Sequence, residues 1–156
     1  MFRKKKLIFE IEKGHLLIGD DEIYLNWVNN IGIRKSAMRE GEYAIHVEMD
    51  GYFSSVIELY FTGSADDVYE AFEELSYDIN KAYPEFHPCF QTELINFRNV
   101  QNISYIPGFL QNQKIKIKFN RAEEDLVRVA SKVQYKKLKN AYEEYKENIR
   151  KDNIEI

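Results

Sequence analysis

One cysteine, three prolines, one tryptophan and seven glycines are spread over 156 residues, and each shortage excludes something. A lone Cys89 allows no intramolecular disulfide, so the stapled framework of a small secreted domain is excluded and a reducing cytoplasm is the expected setting. The seven glycines are scattered at turn positions and serve turns. No Walker loop, nucleotide-binding glycine pattern or HExxH motif is present, and three scattered histidines, His15, His46 and His87, offer no metal-ligand spacing. The expectation is therefore no cofactor, no metal and no catalysis. Long apolar runs are also missing. The basic start Met1-Phe2-Arg3-Lys4-Lys5-Lys6 is like a signal n-region, but Leu7-Ile8-Phe9 is cut by Glu10 and Glu12, far short of the roughly twenty residues of a membrane span. Neither targeting nor membrane insertion is expected.

What the chain does contain is apolar residues at 44%, with 11 Tyr and 10 Phe, a globular composition whose core is built from rings as much as methyls. The wealth of Ile, Lys, Asn and Tyr suits an AT-rich bacterial or phage genome. Charge is unevenly divided: residues 1–83 hold 9 Lys/Arg against 16 Asp/Glu, and residues 84–156 hold 13 against 10. The first half is acidic and the second basic, which suits either two faces with different partners or halves that attract each other.

Alternation marks the strands. Leu7, Phe9 and Ile11 alternate with Glu10 and Glu12 up to Gly14, and a hairpin at Gly19 leads to a strand from Glu22 to Val28 with Ile23, Leu25 and Trp27 on one side. Tyr43 to Met49 alternates up to Asp50-Gly51, a strong hairpin signal, with a return strand through Phe53, Ser55, Ile57, Leu59 and Phe61. Ser64 with Asp67 makes a capping box, and Val68, Phe72, Leu75 and Ile79 carry an amphipathic helix over about 64–81. Tyr83-Pro84 and His87-Pro88 stop it, making residues 81–89 a linker.

The second half repeats the plan. Strands are expected at Leu94–Phe97, from Val100, at Lys114–Phe119 and at Leu126–Val129, with a turn at Pro107-Gly108. Ser131 and Gln134 open a second helix over about 131–151. Leu25-Asn26-Trp27 echoes Ile95-Asn96-Phe97, Val28-Asn29-Asn30-Ile31 echoes Val100-Gln101-Asn102-Ile103, and Ile45-His46-Val47-Glu48 echoes Ile115-Lys116-Ile117-Lys118, at nearly constant offset. The fold class expected is α+β: two similar antiparallel sheet-plus-helix units, 1–83 and 84–156, packed as one body. In outline the first unit resembles bacterial pleckstrin-homology-like domains, and the second, around Leu94-Ile95-Asn96, resembles the strand pattern of LytTR-type DNA-binding domains. The likeness is one of topology.

Three features bear on function. Lys114, Lys116 and Lys118 share one face of a strand, where Arg128 joins them if the pairing register agrees; with Phe97 or Tyr105 as stacking rings, this would grip nucleic acid. The same lysines equally suit a solvated edge strand or a partner-facing surface. Tyr135, Leu138, Tyr142, Tyr145 and Ile149 recur in steps of three and four, the seam of a helix that docks on its own sheet or pairs with a partner, including a second copy. His87-Pro88-Cys89 is the nearest approach to a reactive pair, read as a linker with a half-buried thiol. The leading expectation is a non-catalytic protein-protein interaction module, an adaptor, inhibitor or regulator. The alternative is a nucleic-acid-binding regulator using the lysine face, and the third reading is an enzyme with its site at the junction of the units.

Overall fold

The computed structural model describes residues 9–18, 21–51 and 56–154. The basic start Met1–Lys6, the Gly19 turn and Phe53 and Ser55 lie outside the described residues. Strands β1 (Phe9–Glu12), β2 (His15–Ile18) and β3 (Asp21–Tyr24) form an antiparallel meander. Lys13 and Gly14, both at positive φ, make the two-residue turn between the first two, the turn whose twist matches paired strands.

The strand expected from Glu22 to Val28 is broken after Tyr24 by a 3-10 turn, Leu25–Trp27. The Leu25 N–H is taken by the Gly14 carbonyl at 2.9 Å, which pulls the chain out of the meander. Ile23 and Leu25 are buried, but Trp27 is 59% exposed. The chain then enters β4 (Val28–Lys35), which pairs with β5 (Tyr43–Met49), itself paired with β6 (Val56–Gly63).

Helix α1 (Ala65–Ala82) starts where the capping pattern puts it, Ser64 Oγ accepting from the Asp67 N–H at 3.3 Å. Beyond it lies a correction. Much of the expected linker 81–89 is a strand, β7 (Phe86–Cys89), paired with β8 (Glu93–Asn96). Pro88 is tolerated because β7 is the edge of a five-stranded sheet ordered β6-β5-β4-β8-β7, and an edge strand can spare an N–H. A core of Leu16, Ile31, Ile45, Leu75, Phe86 and Leu94 is fully buried between sheet strands, meander and helix.

The remaining elements are β9 (Val100–Ile106), entered through a 3-10 turn at Phe97–Asn99, then β10 (Lys114–Phe119), β11 (Leu126–Val129) and α2 (Lys132–Ile154). They form an antiparallel sheet ordered β11-β10-β9. The Ser131–Gln134 capping box is complete: the Gln134 N–H donates to Ser131 Oγ at 3.2 Å and the Ser131 N–H to Gln134 Oε1 at 2.8 Å. Contacts divide the chain into residues 1–99 with 121–123, and residues 100–120 with 124–156. The division falls later than the expected 83/84 boundary because β8 hydrogen-bonds to β4, with Asn30 opposite Ile95 and Gly32 opposite Glu93. The α+β class stands, with several antiparallel sheets and two helices, the second being the last described element.

Candidate binding surfaces

In the second unit the alternation of β10 is realised in full. Ile115, Ile117 and Phe119 are buried, while Lys116 and Lys118 are exposed and Lys114 partly so, so the three lysines share the outer face. Register decides their neighbours. Lys114 lies between Ile106 and Val129, Lys116 between Ser104 and Val127, and Lys118 opposite Asn102. Arg128 is opposite Ile115, one residue out of phase, and points to the other face; its guanidinium donates to the Val127 carbonyl at 2.8 Å. It does not join the lysines. Lys116 is 3.3 Å from Asp125, which already meets part of the row's charge.

Of the rings named as stacking platforms, Tyr105 belongs to this sheet and does not share this face. Phe97 is buried in the first unit against His87, centroids 4.9 Å apart. Tyr105 is opposite Ile115, on the far side of the sheet, where its hydroxyl donates to Gln113 Oε1 at 2.8 Å and its ring stacks on Tyr135 at 5.6 Å. Of the α2 stripe, Leu138 and Tyr142 are buried, and the Tyr142 hydroxyl donates to the Val100 carbonyl at 2.8 Å. Tyr135 and Tyr145 are half-buried and Ile149 is exposed. Burial raises the Tyr142 pKa above 10.0, with Lys146, its ammonium 4.7 Å from the ring, pulling the other way.

A feature missed by periodicity adjoins Lys114. Phe109 is 79% exposed, Leu110 68% and Val129 58%, and with Gln111 and Asn112 they line a groove of about 630 Å³. Its shape is imposed locally. A Cβ on Gly108 would sit 2.6 Å from the Asn112 backbone, so the chain folds back tightly there only because residue 108 has none. Leu110 is held at φ 53°, a left-handed conformation that a bulky side chain rarely adopts. The sequence signal was an adjacent Phe-Leu pair directly after Pro-Gly, where a solvent-facing turn would ordinarily be polar.

In the first unit polar groups converge on β4 and β8. Glu93, 0% exposed, has one carboxylate oxygen 2.5 Å from Arg34 Nη1, and the other accepts from Asn30 Nδ2 at 3.3 Å. Glu48 approaches the same guanidinium at 3.7 Å. This cluster ties the central strand to β8 and holds the Glu93 carboxylate between Arg34 and Asn30. His87 and Cys89 share β7, but His87 is stacked on Phe97 and burial lowers its pKa below 6.5. That favours the neutral ring. Among the described residues no three His, Cys, Asp or Glu side chains are grouped to hold a metal ion, and no helix is long and apolar enough to cross a membrane.

No family model, curated protein or solved structure matches this chain.

Proposed function

We propose that this chain is a non-catalytic protein-interaction module, an adaptor, inhibitor or regulator acting in a reducing cytoplasm, that presents the outer face of β9–β11 to a partner protein. The observation that carries the reading is the exposed Phe109–Leu110 pair, built onto a turn that Gly108 keeps tight and bordered by Val129 and Lys114. Large apolar side chains displayed on a constrained turn lose little conformational freedom on association, which is how interface anchors gain affinity. The flanking lysines call for a partner surface that is acidic around an apolar centre. Nucleic acid is the second reading: it draws on the same lysines, with Phe109 rather than Tyr105 as the exposed ring beside them.

We further read β4-β5-β6-α1 and β9-β10-β11-α2, each a three-stranded meander closed by a helix and entered through a 3-10 turn, as copies of one plan. The first keeps a pleckstrin-homology-like outline, and the second bears the functional surface.

The test is quantitative capture of partners from a native-host lysate with wild-type chain, the Phe109→Ser/Leu110→Ser pair and the Lys114→Glu/Lys116→Glu/Lys118→Glu triple. Capture of a specific protein falls at least tenfold with the first variant and several-fold with the second, while circular dichroism is unchanged. Undiminished capture by the Phe109→Ser/Leu110→Ser chain refutes the surface. Salt-dependent retention of RNA or DNA, lost only in the triple variant, makes the chain a nucleic-acid binder instead.

A further inference from the structure

A second concavity, of about 370 Å³, lies in the first unit between α1 and the β7–β8 hairpin. Tyr69, Glu73 and Tyr77 line it from successive turns of α1, since residues four apart stand one above another on a helix. Phe72 and Ser76 form the adjacent row, closer to the core and almost fully buried. The opposite wall comes from Pro88, Cys89 and Gln91. The size falls within the range of small-ligand pockets.

Its chemistry has one sign. Among the described residues no lysine or arginine lines it. Glu93 contributes to the wall, but its carboxylate is committed to Arg34 and Asn30, which leaves Glu73 as the available anion. Tyrosine and phenylalanine rings present electron-rich faces. The decisive group is Ser76: only 5% exposed, its hydroxyl is buried with no hydrogen-bond partner, although a mid-helix serine ordinarily bonds back to the carbonyl one turn earlier. Asn80 spends an amide N–H on the Phe86 carbonyl at 2.6 Å and keeps an acceptor oxygen.

A cleft with a carboxylate, ring faces and an unmet buried hydroxyl, and with no cation among the described residues that line it, lacks one thing. We propose that the α1–β7 cleft binds an organic cation bearing N–H donors, a guanidinium or primary ammonium group, with its apolar stem against Tyr69, Phe72 and Tyr77 and its N–H groups on Glu73 and Ser76. A quaternary ammonium would satisfy the rings but not the acceptors. The group belongs either to a free small molecule or to an arginine or lysine side chain of a peptide. This proposal is independent of the surface on β9–β11.

The experiment is an NMR titration of the ¹⁵N-labelled full chain with agmatine, with the capped peptide acetyl-Gly-Arg-Gly-amide, and with tetramethylammonium. Saturable shifts of the Ser76, Tyr77 and Gln91 amides are expected with agmatine or the peptide, at about tenfold lower concentration than with tetramethylammonium. Glu73→Gln, at an exposed position, keeps the remaining spectrum and weakens binding about tenfold. Tighter binding of the peptide assigns the site to a partner's arginine, and tighter binding of agmatine to a free cation. Absence of saturable shifts, equal affinity for tetramethylammonium, or an unchanged affinity in Glu73→Gln overturns the proposal.

Discussion

At Gly32 a methyl group would lie 2.6 Å from Arg34 Nη1 and 2.8 Å from Glu93 Cδ. The glycine is what lets a buried carboxylate and its guanidinium lie flat across β4. A pair of this kind gives little net stability, but a buried charge that loses its partner is strongly destabilising. On the same sheet His87 gives a titration that can be measured. Burial holds its folded pKa below 6.5, so the unfolded chain takes up the proton more readily than the folded one. Above pH 6.5 neither state is protonated and nothing is lost. As pH falls from 6.5 through the lowered folded value, the unfolded state gains and stability declines. His87→Phe keeps a ring on Phe97 and removes the titration, so its urea-unfolding free energy should fall less between pH 7 and pH 5 than that of the wild type. Parallel curves for the two chains would show that other groups carry the acid dependence.

Elements whose signals are local were legible in the sequence. The period-two alternation of Tyr43–Met49 and Lys114–Phe119 gave both strands, and the serine caps three residues ahead of Asp67 and Gln134 gave both helix starts. Such patterns depend only on neighbours in the chain. β7 was hidden because His87-Pro88 reads as a breaker, and only its place at a sheet edge, fixed by β8 and β4, makes a proline there harmless. Arg128 was misplaced for the same reason: its face follows from pairing with β10, and a single step of register reverses it. The α2 cap permits a direct check at this scale. Ser131→Ala removes the acceptor of the Gln134 N–H and should lower stability by about 1 kcal/mol. Chemical denaturation measures it, and a change below about 0.3 kcal/mol would mean water replaces the hydroxyl without loss.

Over the whole molecule the sequence indicated an α+β chain with two helices, but not where contacts divide it, because the assignment of β8, and of β7 through it, depends on β4, more than fifty residues away in sequence. The candidate sites were hidden in the same way. The lysine row was visible, whereas the Phe109–Leu110 groove and the Ser76 cleft exist only once turns and helix are packed. Two contact-defined units also raise the question of whether they open together. The second unit is the smaller, a three-stranded sheet and one helix, and Ile115 is fully buried on its central strand. Ile115→Ala removes most of a buried side chain and should destabilise by about 2–5 kcal/mol. If the units open separately, hydrogen exchange will accelerate at the amides of β9, β10 and α2 while those of β4 and β5 keep their protection. If protection falls equally across β4, β5 and β10, the chain opens as a single cooperative body, and the division seen in its contacts has no energetic counterpart.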